Sequence, residues 1–497
     1  MLSRTYPLCS SLARGLSRGY ASSASSANNG IKLKTLPSGI RLAVDETPSH
    51  FSAIGMYVDA GSRYEERYGL TGCSHLTDKL AFKSTRDFSG SQMLEKLNLL
   101  GGNFMCASSR ESLIYQASVF NSDVEKMFHL MSDSVARPQL TEEEVQEQKI
   151  NAQYELSEIW LQSDLILPEI FQQVAYDNKN LGSPLLCPTE ELGNITKDKL
   201  LKFRDLFYRP DRLVVALCGI PIERAEELTE KYFEGFQSGN NADEIVKDKA
   251  IYTGGERSLD VPKELAYKGQ EFHHIYVGYE GVSIGDDDVY KLATLQMLIG
   301  GGGSFSAGGP GKGMYARAYT RILNQYGFVE NCKSFIHNFT DSGLFGISLA
   351  CIPQADKVMA DLIGYEFSLL MDHDVGKGGI SENEVSRAKN QLKSSLMMNL
   401  ESKMVQLEDM GRQIQVFGKK IDVTEMCEKI DAVTRSDLIN IAEKILTGSE
   451  PTIVVQGERE AFGDIKETLK GQGLGSNGSN GSNGSKSKQK KPHGWFS

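Results

Sequence analysis

Long apolar runs and paired cysteines are absent from this 497-residue chain. No uninterrupted apolar stretch approaches the roughly 20 residues that a membrane-spanning helix needs. The eight cysteines are scattered and no two form a Cys-x-x-Cys pair, which argues against a zinc ribbon or a disulfide scaffold and fits a reducing compartment. The length and the hydrophobic content of 40% suit two large domains or a few small ones, with an ample core.

Acidic residues are absent from the first 44 positions, which contain six arginines and lysines and many serines and alanines. This composition is typical of a mitochondrial transit peptide, and it lacks the apolar core of a secretory signal. We therefore predict a transit peptide over residues 1–20, with cleavage near residues 20–22, and a location in the mitochondrial matrix. A disordered basic tail is the alternative, and inner-membrane association stays open.

Unpartnered basic residues also characterise the other end of the chain, where residues 471–497 repeat Gly, Ser and Asn and carry four lysines. We predict a disordered tail there. Once the six basic residues of the first 44 positions and these four lysines are subtracted from the net charge of −11, residues 45–470 carry −21. Such an acidic body repels nucleic acid and attracts cationic partners, of which a basic peptide is one; solubility alone is the alternative.

Two halves of the chain repeat one another. Segments match in the same order with a slowly drifting offset: 53–61 with 273–281, 97–101 with 323–327, 140–145 with 380–385, and 195–200 with 433–438. Thr141 and Ser381 each precede a Glu by three residues, the pattern of a capping box that opens a helix. Apolar strands alternating with capped helices predict an α+β fold of two homologous domains, each a mixed β-sheet with helices packed mainly on one face. The predicted domains are residues 35–236 and 263–470, joined by a linker over 237–262.

The segment around His75 holds part of a metal-binding pattern. Apolar spacing over residues 72–82 predicts a helix, on which positions i, i+3 and i+4 share a face, so His75, Asp78 and Lys79 point together. A zinc peptidase of the H-x-x-E-H type uses these positions for a ligand, the general base and a second ligand. Here the motif reads H-x-x-D-K, and Glu155 is the candidate for the distant third ligand.

The chemistry of this motif argues against catalysis and against a metal. A protonated lysine has no lone pair for a metal ion, and Asp is one methylene shorter than the Glu that activates water. Two protein ligands rarely hold catalytic zinc. We predict that His75, Asp78, Lys79 and Glu155 form a degenerate site without a catalytic residue or a metal. We also expect Lys79 and Glu155 to pair; a solvent-exposed Lys79 is the alternative.

On these residues the chain resembles the pitrilysin-like metallopeptidase family. Residues 75–85 (HLTDKLAFKST) are similar to the metal helix of its catalytic subunits, and Glu155 follows Asp78 by 77 residues, as the family's third ligand does. Gln148 stands where the catalytic subunits carry another acid. A glycine-rich loop at 300–313 resembles the signature of a non-catalytic subunit in this family.

The resemblance covers roughly residues 35–470 and implies a non-catalytic, substrate-recognising subunit of a heterodimeric zinc metalloendopeptidase. It implies that a catalytic beta partner holds the zinc and that this chain holds no cofactor. The implied substrates are proteins imported into the matrix with basic amphipathic presequences. A structural core subunit of the cytochrome bc1 complex, which is degenerate at the same helix, is the alternative, and association with that complex stays open.

Eight glycines in fourteen positions make residues 300–313 (GGGGSFSAGGPGKG) the most unusual segment of the body. Such a run gives up side-chain contacts, and long loops inside compact domains are often functional. A P-loop is disfavoured because the segment follows a helix, and an inert linker because the loop lies inside the second repeat. Exposed backbone groups can pair with an extended peptide, and the resemblance implies presequence recognition. The predicted substrate-binding residues are Gly300, Gly301, Gly302, Gly303, Ser304, Phe305, Gly308, Gly309, Gly311, Lys312 and Gly313.

Overall fold

The computed structural model describes residues 31–237, 245–267, 272–303 and 314–475. The predicted transit peptide, residues 304–313 of the predicted loop and residues 476–497 of the predicted tail lie outside these ranges. The first five positions of that tail belong instead to the folded body, because Leu474 is buried and the Gly475 N–H donates to the Leu446 carbonyl over 2.8 Å. Within the described ranges, no helix has both the length and the apolar character that crossing a bilayer requires.

Two six-stranded mixed sheets organise the described residues. The first sheet contains β1 (Ile31–Thr35), β2 (Arg41–Asp45), β3 (Phe51–Val58), β4 (Asn103–Ser108), β5 (Leu113–Phe120) and β6 (Leu213–Cys218). The second contains β7 (Gly255–Leu259), β8 (His273–Glu280), β9 (Gly301–Gly303), β10 (Val329–Asn338), β11 (Gly343–Cys351) and β12 (Thr452–Gln456). Their spatial orders are β1-β2-β6-β3-β5-β4 and β7-β12-β8-β11-β10-β9, with β2–β6 and β7–β12 as the parallel pairs. The predicted α+β class with two homologous mixed sheets is confirmed.

Five strands of each sheet correspond, so that β2, β6, β3, β5 and β4 match β7, β12, β8, β11 and β10. Each sheet adds one strand at the opposite end: β1 beside β2 in the first sheet, and β9 beside β10 in the second. Strand β4 therefore ends its sheet, whereas the equivalent β10 is covered by β9. Strand β7 lies within the range predicted as linker, but it is part of the second sheet through its pairing with β12.

Helices of the same half cover the inner face of each sheet. Met127 and Phe128 of one helix join the first core, and Ile363 and Phe367 of its counterpart join the second. The α-helices of the described ranges are α1 (Ser62–Tyr68), α2 (Cys73–Lys79), α3 (Gly90–Leu100), α4 (Val124–Ala136), α5 (Glu142–Ile159), α6 (Ser163–Ala175), α7 (Thr189–Leu192), α8 (Lys197–Phe207), α9 (Ile222–Tyr232), α10 (Lys263–Tyr267), α11 (Val289–Ile299), α12 (Asp356–Leu370), α13 (Glu382–Leu400), α14 (Lys403–Phe417), α15 (Val423–Ala432), α16 (Arg435–Gly448) and α17 (Ile465–Gly471).

One helix from the opposite half lies on the outer face of each sheet, in addition to the helices of the same half that cover the inner face. Helix α14 packs Met410 against the first sheet, and α6 packs Leu167 and Phe171 against the second. Strands buried on both faces need apolar residues at successive positions, and every residue of β6 and β12 is buried accordingly. Gly411 allows the close approach of α14, since a Cβ built there would lie 2.1 Å from the Tyr57 ring.

The helix starts predicted at Thr141 and Ser381 are found, but only one is a complete capping box. Both hydroxyls accept the N–H of the Glu three residues later, which begins α5 and α13. Glu384 also reaches back to the Ser381 N–H at 2.8 Å and completes the box. At Thr141 the box is half formed, because Glu144 instead accepts the N–H and hydroxyl of Ser84 at 2.9 and 2.7 Å.

A matched pair of lysines shows the repeat at the level of single contacts. Lys149 of α5 and Lys389 of α13 each donate to two carbonyl oxygens just before a helix capped by threonine, α8 in the first half and α16 in the second. The acceptors are Gly193 and Ile195 at 3.3 and 3.1 Å in the first half, and Asp431 and Val433 at 2.6 and 2.9 Å in the second. Two lysines that lie 240 positions apart in the sequence thus make equivalent hydrogen bonds in the two halves.

The two halves meet at the turns that join β4 to β5 and β10 to β11. Arg63 of α1, whose side chain is 1% exposed, donates to Glu111 of the first turn at 2.6 Å and to both carboxylate oxygens of Asp341 of the second at 2.8 and 2.5 Å. Glu111 also accepts the Thr340 N–H at 3.0 Å. The Asp248 carbonyl oxygen, on the segment between the halves, accepts from Arg63 at 2.8 Å. We call Arg63, Glu111, Thr340 and Asp341 the hairpin clasp.

Candidate functional site

A buried carboxylate fixes the start of α2, the helix that carries the degenerate motif. Gly72 makes the preceding turn with φ of 84°. Glu65 of α1 is 1% exposed and accepts the N–H groups of Gly72 and Ser74, which are the groups that a helix start leaves without intrahelical partners. Burial raises the pKa of Glu65 to about 7, although the hydrogen bonds from Ser74 and Gly72 act in the opposite direction.

The predicted pair between Lys79 and Glu155 forms. The Lys79 ammonium lies 2.8 Å from one carboxylate oxygen of Glu155 and 2.7 Å from the other. His75 is buried, its Nδ1 accepts the Cys187 N–H at 3.2 Å, and its Nε2 therefore carries the proton and donates to Glu155 at 3.3 Å. The hydrogen bond from His75 lowers the pKa of Glu155 most, and the hydrogen bond and charge of Lys79 lower it further. Although partial burial raises this pKa, the net effect brings it to about 2.

Asp78 points away from this pair, unlike the prediction that His75, Asp78 and Lys79 act on one face. Its carboxylate accepts the N–H and the hydroxyl of Ser108 at 2.9 and 3.1 Å. Because Ser108 ends an edge strand, its outward N–H needs a partner other than a neighbouring strand, and Asp78 supplies one. Burial raises the pKa of Asp78, against the hydrogen bonds from Ser108. The carboxylate is thereby tied to the sheet.

These residues do not fit a zinc ion. His75 and Glu155 offer two donor groups, and the third position is taken by the Lys79 ammonium, which has no lone pair. Across the described ranges, no three His, Cys, Asp or Glu side chains are grouped so that they could hold a metal. The ammonium instead places one positive charge against the carboxylate that a metal would otherwise bind.

The glycine run begins as a strand, so its first residues have a structural task. Residues Gly301–Gly303 form β9, antiparallel to β10. Gly300 and Gly301 have φ of 64° and 132°, where glycine is favoured, and a Cβ at Gly301 would lie 2.2 Å from a β10 carbonyl oxygen. A Cβ at Gly302 would lie 2.1 Å from the Tyr319 hydroxyl, whereas at Gly303 the nearest atom is 3.8 Å away. Backbone conformation thus favours glycine at 300 and 301, whereas a Cβ at 302 requires the Tyr319 side chain to move.

A buried ion pair holds the chain where it leaves the run. Arg317 is 2% exposed and donates to both carboxylate oxygens of Glu384 at 2.8 and 3.2 Å, next to the start of α13. The exposed Tyr315 accepts from Arg387 through its carbonyl oxygen at 3.3 Å. A π-helical segment, Ala318–Leu323, follows. The other predicted binding residues, Ser304, Phe305, Gly308, Gly309, Gly311, Lys312 and Gly313, lie outside the described residues.

Sequence reasoning missed several of these contacts. Nothing local marks Glu65 as the partner of the α2 start, or Ser108 as the partner of Asp78. The capping pattern identifies Glu384 as a helix cap, but its second partner Arg317 is 67 residues away in the chain, and no local pattern reveals it.

Comparison with known proteins agrees with this geometry. The family model for insulinase (peptidase family M16) matches residues 41–189, and the model for the peptidase M16 inactive domain matches residues 194–392. The chain belongs to peptidase family M16. The first M16 match includes the whole degenerate motif and Glu155, and the second includes the glycine run.

Relatives within the M16 family match most of the chain. It is 43% identical to the mitochondrial-processing peptidase subunit alpha of Neurospora crassa, over 85% of this chain and 86% of that protein. It is 41% identical to the probable mitochondrial-processing peptidase subunit alpha of Schizosaccharomyces pombe, over 92% of each. The human mitochondrial-processing peptidase subunit alpha is 35% identical over 86% of this chain and 82% of its own length.

Proposed function

We propose that this chain is the non-catalytic, substrate-recognition subunit of a heterodimeric mitochondrial processing peptidase. The assembled enzyme removes N-terminal presequences from precursor proteins imported into the matrix, and the zinc belongs to a catalytic beta partner. The observation that carries the proposal is the Lys79 ammonium bonded to both oxygens of Glu155, because it replaces a metal ligand by a cation. The names of the relatives and the basic leader support the mitochondrial setting.

Reconstitution tests this proposal. Cleavage of a synthetic presequence peptide is measured with this chain alone, with the catalytic partner alone and with both. We expect turnover only from the pair, and zinc only in the partner. Cleavage by this chain alone would overturn the non-catalytic role. Copurification with haem-bearing membrane subunits, and without a zinc peptidase, would favour the bc1 core alternative.

Shortening the glycine run tests the recognition role. The deletion lies within residues 304–313, so that the strand Gly301–Gly303 and the Arg317 anchor are kept. We expect a higher KM for presequence peptides in the assembled enzyme with little change in kcat, since the run would handle substrate rather than the reaction. Replacement of Gly327 by Ala is the control, because this glycine is not among the predicted binding residues and a Cβ there meets no described atom within 4 Å. Unchanged KM after the deletion would remove recognition from the run.

A further inference from the structure

One face of α5 points to solvent and combines apolar and acidic side chains. At 3.6 residues per turn, positions 143, 147, 150, 154 and 158 fall within about 80° of arc and span about 22 Å. Ile150 and Tyr154 at the centre are 46% and 69% exposed. All five residues are exposed; they are Glu143, Glu147, Ile150, Tyr154 and Glu158, and we call them the α5 stripe.

The second repeat shows that the fold does not require these residues. At the offset of 240, α13 presents Asn383, Arg387, Asn390, Ser394 and Met398, and all five are exposed as well. The two helices thus have the same exposure at the same positions. The face of α5 is apolar at its centre and acidic at its ends, whereas the face of α13 is polar at its centre, carries the cation Arg387 and has its apolar residue, Met398, at one end. The repeated fold therefore gives no packing reason for the exposed Ile150 and Tyr154 at the centre of the α5 face.

The acids of the α5 stripe are available to a partner. Among the residues that the structure describes, Glu143, Glu147 and Glu158 have no ion pair or side-chain hydrogen bond. The one lysine of α5, Lys149, donates to carbonyl oxygens on another side of the helix and does not neutralise them. Glu155, which is engaged by Lys79, lies on a neighbouring side of α5, about 100° around the helix from the centre of the stripe. The stripe therefore presents three free negative charges around an apolar centre.

We propose that the α5 stripe binds the helical, basic part of a presequence, a role that rests on the proposed function. A basic amphipathic helix of about four turns has the length of the stripe. Its apolar face covers Ile150 and Tyr154, and its arginines or lysines meet Glu143 and Glu147 at one end and Glu158 at the other. Helix-on-surface recognition of this kind uses apolar anchors for affinity and charge for orientation and encounter.

A graft from the second repeat tests the α5 stripe without endangering the fold. The variant Glu143→Asn, Glu147→Arg, Ile150→Asn, Tyr154→Ser takes the residues that α13 already carries at these positions. In the heterodimer reconstituted with the catalytic partner, we expect the KM for a synthetic basic amphipathic presequence peptide to rise about tenfold, which corresponds to about 1.4 kcal/mol of binding free energy, with unchanged kcat. The salt dependence of KM should weaken as well.

Two comparisons isolate the stripe. A peptide of the same length and charge, in which proline replaces a residue of the helical part, should give equal KM values for the wild type and the graft. Exchanging Asn390→Ser and Ser394→Asn on α13 is the matched protein control and should leave the KM unchanged.

Equal KM values for the graft and the wild type with the helical peptide would overturn the proposal. So would loss of heterodimer assembly in size-exclusion chromatography, because the stripe would then be a subunit interface. If the 304–313 deletion raises KM while the graft does not, the proposed function stands and only this surface assignment fails.

Discussion

Removal of the Arg63 guanidinium measures how firmly the hairpin clasp joins the two halves. Arg63→Met keeps an apolar stem and loses five hydrogen bonds. Leaving buried carboxylates without their cation typically costs about 3–5 kcal/mol. Glu111 and Asp341 are 18% and 22% exposed, and Lys247 remains 3.4 Å from Glu111. We therefore expect the lower end of that range, about 3 kcal/mol of the free energy of unfolding.

The decrease in the free energy of unfolding caused by Arg63→Met should be larger at neutral pH than at acidic pH. Although burial raises the pKa of Asp341, hydrogen bonds from Arg63 and the Ala250 N–H hold it below its usual value. A carboxyl with a depressed folded-state pKa stabilises the fold above the unfolded pKa of about 4, and this contribution is lost as pH falls through the folded value. The difference between Arg63→Met and the wild type should be largest near neutral pH and shrink below about pH 4.

Urea unfolding followed by circular dichroism, near neutral pH and below about pH 4, measures both effects. Arg67→Met is the matched control, since Arg67 lies one turn later on α1 and pairs with Asp248, with exposures of 49% and 58%. We expect that variant to lose less than about 1 kcal/mol. If Arg63→Met loses no more than the control, or loses the same at both pH values, the guanidinium does not hold the halves together.

Two further substitutions test the site. Lys79→His places an imidazole beside His75 and Glu155 and completes a set of three zinc ligands. Equilibrium dialysis should therefore find about one zinc ion per chain for this variant and none for the control Lys79→Met. Absence of zinc uptake by the histidine variant would contradict the interpretation that the Lys79 ammonium takes the place of a metal ion. Gly301→Ala should lower the free energy of unfolding by about 1–3 kcal/mol because its Cβ meets a carbonyl oxygen at 2.2 Å, whereas Gly303→Ala should be nearly neutral in the same urea titration. Equal effects at the two glycines would refute the strand as the reason for glycine at 301.

Short patterns account for much of the candidate site. The capping residue Thr141 locates the start of α5, and the apolar spacing around His75 locates α2. The distance between Lys79 and Glu155 in the structure agrees with the pairing that the resemblance implies, in which Glu155 stands at the position of the family's third ligand. These features are predictable because each depends on a few neighbouring residues, or on two helices whose faces the sequence already defines.

Contacts between the halves are not predictable in this way. Amphipathic periodicity shows that α6 and α14 have apolar faces, but not that each packs on the sheet of the other half. Arg63 meets Asp341 across 278 positions, and neither residue lies in a pattern. The strand Gly301–Gly303 has no side-chain alternation from which a strand could be recognised, so the sequence indicates a loop there.

The duplication separates what the fold needs from what it does not. At the offset of 220, the three positions of the degenerate motif hold Leu295, Leu298 and Ile299 in the second half, all at most 3% exposed. The fold is therefore stable with apolar side chains at these three helix positions. Buried polar side chains at the same positions destabilise the fold unless they have hydrogen-bond partners. The first half has the polar residues of the degenerate motif at these positions, and they form hydrogen bonds with Glu155 and Ser108. Since α5 supplies Glu155 to the degenerate site and carries the stripe on a neighbouring, solvent-exposed side, we expect substitutions in the stripe to alter recognition before they alter folding.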